Sequence, residues 1–214
     1  MPPGDSPSER GSSDYDIRQT FSAAVSYNFP SLGTGIWKLI TGNSSADAIV
    51  YARTAPPVNV VTGVDAFATG FLSGTHGVQR PNLASGVPLR ISNPDVAGGE
   101  EIDKAAFTTP TGAVQGDLGR NALRGFGASE VDLALRKELK LGERLTLQVR
   151  GDYFNILNHP NFGPPTNYLS SPLFGQSTQM LGTSLGSGGQ SGGLNPLYQI
   201  GGPRSVQAAV KFLF

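Results

Sequence analysis

Cysteine is missing from all 214 residues, which removes a disulfide framework and thiol chemistry together. Charge is scarce as well. Only 15% of residues are Asp, Glu, Lys or Arg, against about a quarter in an ordinary soluble domain. The 16 basic side chains balance the 16 acidic ones, so neither a nucleic-acid face nor an acidic tail is expected. No apolar run approaches the roughly 18 residues that a transmembrane helix needs. A bilayer could then be crossed only by a β-barrel, where every backbone amide is paired within the protein. The first ten residues, MPPGDSPSER, carry no basic stretch followed by an apolar core, so no secretory signal is read there. The expectation is a C-terminal piece of a longer precursor, a fragment without the activity of the whole.

What the chain does have is alternation. In the last ten residues Val206, Ala208, Val210, Phe212 and Phe214 fall on one strand face and Ser205, Gln207, Ala209, Lys211 and Leu213 on the other. The length suits a tilted membrane strand of about 9 to 11 residues. The same period runs through 17–29, where Ile17, Phe21, Ala23, Val25, Tyr27 and Phe29 share a face. It recurs in 129–138 with Val131, Leu133 and Leu135, and in 144–156 with Leu145, Leu147, Val149 and Tyr153, the two joined by a tight hairpin. A fifth segment, 37–61, opens at Trp37 and is interrupted at Gly42 to Ser45. Pro56 and Pro57 mark an edge or bulge in it, because neither can donate to a ladder.

Between these strands lie two long connections, 62–127 and 158–203, without sustained period; the second holds the Gly-rich tract 186–193, a flexible connector by composition. Connections therefore run short, very long, short and long, which is the asymmetry of tight periplasmic turns and extended extracellular loops. With Phe214 at the periplasmic rim, Tyr27, Phe29 and Trp37 fall at the same rim in an aromatic girdle, and Tyr153 near the other interface. The apolar stripes Phe21, Val25, Tyr27; Val131, Leu133, Leu135; Leu145, Leu147, Val149, Tyr153; and Val206, Val210, Phe212, Phe214 are expected to face lipid. The opposite faces, with Arg18, Asp132, Arg136, Glu138, Arg150, Asp152 and Lys211, suit a wet or plugged lumen.

Three runs carry a family resemblance: Gly119-Arg120-Asn121-Ala122-Leu123-Arg124-Gly125 before the strand pair, the block from Asp152 through Asn155, Asn158, His159, Pro160 and Asn161 to Gly163, and the terminal Gln207 to Phe214. Together they resemble the C-terminal end of TonB-dependent outer-membrane receptors of the Oar-like type that bears a carboxypeptidase-regulatory domain. The resemblance implies an all-β, antiparallel membrane barrel of 22 strands with an N-terminal plug, of which residues 1–214 would supply about five strands and two long loops. It implies uptake or binding of a bulky extracellular solute in the bacterial outer membrane. The implied partners are membrane lipid, the rest of the barrel and its plug, an energy-coupling protein, and the barrel assembly machinery, for which Phe212 and Phe214 would be the signal.

Sites of other chemistry are thinly supported. His76 and His159 are the only histidines, with no carboxylate pattern to complete a metal set, and His159 reads as part of the turn Asn158-His159-Pro160-Asn161. Glu100, Glu101 and Asp103 lack the ligand order of a calcium loop and read as a solvated face. Glycines 119, 125 and 127 make neither a phosphate loop nor a dinucleotide fingerprint, and no nucleophile elbow occurs, so no enzyme and no cofactor are expected. Arg120 and Arg124 have two readings: contact with an anionic substrate or the plug, or hydrogen bonds to loop carbonyls and to lumen carboxylates such as Asp132. The alternative to the barrel is a soluble or surface-attached β-sandwich that binds carbohydrate or protein through its loops.

Overall fold

The computed structural model describes residues 10–67, 78–184 and 201–214. In chain order these form β1 (Thr20–Asn28), α1 (Ile36–Thr41), β2 (Ser44–Arg53), β3 (Pro57–Val58), β4 (Asn82–Leu83), β5 (Arg90–Ser92), β6 (Glu100–Ile102), β7 (Phe107–Thr108), β8 (Leu123–Arg124), β9 (Ala128–Lys140), β10 (Thr146–Phe154), α2 (Leu181–Ser184) and β11 (Ser205–Leu213). No helix among the described residues is long and apolar enough to cross a membrane.

Five strands build one antiparallel sheet in the order β1-β2-β9-β10-β11, so each lies beside the sheet strand that precedes it in the chain. Strands β1, β10 and β11 have 9 residues each, β2 has 10 and β9 has 13. All reach the roughly 9 residues that a tilted membrane strand requires. The expected segments 17–29, 129–138, 144–156 and 205–214 thus survive with ends shifted by a few residues. Strand β10 stops where Asn155 turns left-handed (φ 47°), its N–H donating to the Asp132 carboxylate at 2.8 Å, and pairing resumes once as the Ile156 N–H reaches the Val131 carbonyl at 2.9 Å.

The segment 37–61 is corrected. Trp37 does not open a strand; it lies in α1, whose backbone is closed by the Leu39 N–H on the Gly35 carbonyl (3.1 Å) and the Gly42 N–H on the Lys38 carbonyl (2.9 Å). Gly33 and Gly35 enter this helix with positive φ and Asn43 leaves it at φ 51°, so the backbone bends at points where the alternation of side chains gives no warning. The strand ends at Arg53, and β3 belongs to a separate ladder with β8.

The long connection 62–127 is corrected too. It is not an aperiodic loop: β4 pairs with β7 and β5 with β6 inside it. Strands of two or three residues are too short to leave a period in the sequence. Residues 158–184 fold onto this layer through the Val61–Tyr168 bridge, the Val61 N–H on the Asn167 carbonyl (3.0 Å) and the Ile102 N–H on the Gly175 carbonyl (3.2 Å). Residues 186–193 and His76 lie outside the described residues.

The buried apolar cluster is Val58, Val60, Ile102, Ala106, Phe107, Leu118, Leu123, Leu169 and Phe174, with Phe107 and Phe174 edge to face at 5.7 Å. Every member comes from the chain between β2 and β9 or between β10 and β11. The core therefore sits in a folded cap at the end of the sheet where β2, β9, β10 and β11 meet those connections, while the other end carries the turns 29–43 and 141–145. No second sheet covers the five strands among the described residues, which disfavours the sandwich alternative.

Candidate functional site

Register decides which side chains share a face. Reading across the sheet, Val25, Ala48, Leu133, Tyr153 and Val206 form one row, and Tyr27, Ala46, Leu135, Gly151 and Ala208 the next. Val149 lies beside Val210, and Leu147 beside both Leu139 and Phe212. Phe21, Val25, Tyr27, Val131, Leu133, Leu135, Leu147, Val149, Tyr153, Val206, Val210 and Phe212 thus fall on a single face. Leu145 lies outside β10, in the turn where its carbonyl accepts the Leu141 N–H at 2.9 Å, and Phe214 follows the end of β11. This face is open: Val25 and Val206 are each 64% exposed and Val210 is 61% exposed. Contiguous apolar surface of this kind marks a site that meets something apolar.

The opposite face is polar and paired with itself. Arg136 bridges to Asp47 across strands at 2.9 Å, and Arg150 bridges to Asp152 along β10 at 2.8 Å. Gln148 donates to Glu138 at 2.9 Å, and the Gly201 N–H donates to the buried Glu130 carboxylate at 2.6 Å. A recess on this side is lined by Asp47, Ile49, Arg150, Asp152, Phe154 and Gln207. Arg150 and Asp152 therefore sit where a lumen contact was expected, but satisfy each other.

Arg120 and Arg124 do something else. Neither reaches Asp132, whose carboxylate holds the Asn155 N–H. Arg120 bridges to Asp14 at 3.0 Å, and Arg124 bridges to Asp16 while also donating to the Asp16 carbonyl at 2.6 Å and the Ser12 hydroxyl at 3.2 Å. Between them the buried Asn121 donates to the Ser12 carbonyl and the Asp14 carboxylate, both at 2.7 Å. The pair clamps the segment leading into β1. Hydrogen bonds from Asn121 and then Arg120 outweigh desolvation and hold the Asp14 carboxyl below the ordinary carboxylate range. The Arg124 and Ser12 hydrogen bonds do the same for Asp16. Asn121 and the two aspartates were missed, because nothing local in the sequence ties residues 12–16 to residues 120–124.

The Asn-rich block before Gly163 also acquires a structural account. Asn161 accepts the Ser129 N–H at 2.8 Å and donates to the Ser129 carbonyl at 3.0 Å, as a neighbouring strand would. Asn155 accepts the His159 N–H and donates to the His159 and Gly202 carbonyls at 2.9 and 3.0 Å. His159 contributes its backbone to this knot, in agreement with the turn reading. Both asparagines are buried, and together they pin the second connection to the upper ends of β9 and β10.

The acidic residues of the cap are occupied rather than merely solvated. Glu100 bridges to Arg90 at 2.6 Å, Glu101 accepts from Gln176 at 2.8 Å and Asn93 at 3.1 Å, and Asp103 accepts the Ala105 N–H at 2.8 Å. No group of three or more His, Cys, Asp or Glu side chains gathers to hold a metal among the described residues. The site is thus a two-faced sheet under a folded cap. A family model described as an outer membrane beta barrel domain matches residues 2–199. No curated protein and no solved structure matches the chain.

Proposed function

Because the chain belongs to the outer membrane beta barrel domain family, and its place is the bacterial outer membrane, we propose that it is part of the wall and outer lid of a TonB-dependent receptor for a bulky extracellular solute. The observation that carries this reading is the cap. Residues 54–67, 78–127 and 155–184 build a packed layer with its own apolar core at one end of the sheet, and a binding loop needs such a support to hold a fixed shape. In this reading the open apolar face meets lipid and the self-paired polar face lines the lumen. Strands β1 and β11 leave one edge each unpaired among the described residues, and further strands of the same barrel satisfy those amides, as a bilayer demands. The plug, the energy-coupling protein and recognition of Phe212 and Phe214 by the assembly machinery belong to the same proposal. So does the absence of enzymatic activity.

The test is transport in cells. The gene is deleted, and uptake of a panel of bulky solutes (metal chelates, oligosaccharides, peptides) is compared with cells carrying the native protein or Ile102→Asp, which places a charge in the cap core. One solute is expected to depend on the native protein, to fail with Ile102→Asp, and to stop entering when the proton-motive force is collapsed. Uptake that survives de-energisation contradicts the proposal and favours a passive pore.

A further inference from the structure

The turn between β1 and β2 is built more elaborately than a turn requires. No residue of α1 is buried: Thr41 is half-buried and the other five are exposed, with Ile36 at 67%, Trp37 at 65%, Leu39 at 61% and Ile40 at 55%. At 100° per residue these four side chains cover an arc of about 160°, and Lys38 points away from its centre. The backbone, in contrast, is held at several points at its C-terminal end. Thr41 donates to the Trp37 carbonyl at 2.8 Å, Ser44 donates to the Ile40 carbonyl at 2.7 Å, and the Lys137 ammonium donates to the carbonyls of Ile40 and Gly42. Lys137 shares the face of Leu133 and Leu135, so it tethers α1 on the apolar side of the sheet. Between the helix and the lower end of β9 lies a cleft of about 520 Å³ lined by Lys38, Leu39, Lys137, Leu139, Lys140 and Leu141. Glu138 also borders it, but its carboxylate accepts from Gln148 on the other face.

We propose that α1 and this cleft form an interfacial anchor that lies in the headgroup layer at the short-turn end of the sheet and holds an anionic phospholipid, acyl chains against Leu39, Leu139 and Leu141 and phosphate among Lys38, Lys137 and Lys140. The inference rests on the reading that the open apolar face meets lipid, with which the anchor is continuous through Tyr27 and Phe29, packed edge to face at 5.3 Å. A short helix with a broad apolar arc and flanking lysines has the composition of an element that lies in the membrane interface rather than across it. The lysines choose the headgroup: each basic residue near an anionic surface favours it about fivefold.

Trp37 is the single tryptophan, so its emission reports the anchor without labelling. The full chain is reconstituted in vesicles containing either brominated phosphatidylcholine or brominated phosphatidylglycerol at equal mole fraction, and its β-sheet content is followed by circular dichroism in the same vesicles. Trp37 is expected to emit at blue-shifted wavelength, to be quenched by both lipids and to be quenched several-fold more by phosphatidylglycerol, with Lys38→Gln/Lys140→Gln equalising the two. Equal quenching by both lipids in the native chain overturns the anionic site. A sheet that forms while Trp37 stays in water, or is buried but unquenched and so covered by protein, overturns the anchor and leaves the lipid-facing sheet standing. Failure of the sheet itself to form in the bilayer overturns both.

Discussion

Many of the contacts that decide the shape of the cap and of the entry to β1 join residues more than seventy positions apart, and they were the least legible part of the chain. Gly175 has φ 83°, and a Cβ there would meet the Ile102 carbonyl oxygen at 2.2 Å. Gly175→Ala is therefore expected to cost more than about 1 kcal/mol from the left-handed backbone alone, seen as faster proteolysis between residues 84 and 176 with the sheet intact. The clamp on residues 12–16 depends on pH in a direction fixed by its carboxylates. Asp14 and Asp16 titrate below their ordinary value of 3.8 when folded, so the clamp is complete above that pH and is lost as pH falls through the lower folded values. Amide protection at residues 12–17, taken relative to intrinsic exchange, is expected to persist from neutral pH down to the ordinary carboxylate value of 3.8 and to be lost only below it; Arg124→Gln should lower it at neutral pH. The sequence placed two arginines in a Gly-rich approach to a strand but offered no means of choosing their partners, because residues 106 to 109 positions apart meet only in three dimensions.

Among the elements, strands that alternate over nine or more residues were readable and shorter ones were not. Strands β1, β9, β10 and β11 follow from period two, since one face must be apolar and the other polar for the whole length of a sheet strand. The hairpins of the cap are two or three residues long and are held by the Ile102 and Phe174 cluster, a tertiary cause that leaves no local signal. Trp37 was misplaced for a related reason: Ile36, Trp37, Leu39 and Ile40 do not alternate, but six residues are too few to establish a helical period, and glycines 33 and 35 decide for a turn and helix. The two faces of β11 make a direct comparison possible. Lys211 already carries a cation on the polar face, whereas Val210 lies on the open apolar one. Val210→Lys is expected to cost about 2 to 4 kcal/mol if that face lies in the bilayer, while Gln207→Lys, beside Asp152, should be nearly neutral. Both are read as the fraction of folded, heat-modifiable protein in isolated outer membranes.

At the scale of the molecule, the inversion of the usual plan carries the functional reading. The packed core lies in the loops, and the largest sheet shows an uncovered apolar face and a self-paired polar one, an arrangement costly in water and natural in a bilayer. Fold class and the asymmetry of the connections were visible in the sequence because both follow from binary pattern and loop length; the order inside the loops was not. Phe214 is 99% exposed, so little within the chain depends on it. Deleting it should leave the stability of assembled protein unchanged and lower the assembled amount, which pulse-chase insertion would measure; an unchanged rate contradicts its role as an assembly signal. The most direct measurement uses the absence of native cysteine. Single cysteines at positions 206 to 213 are spin-labelled in the membrane-inserted protein, and collisions with lipid-dissolved oxygen and with a water-soluble nickel chelate are compared. Oxygen maxima are expected at 206, 208, 210 and 212 and nickel maxima at the residues between them. Nickel access that is equal on both faces would contradict a sheet that separates lipid from lumen.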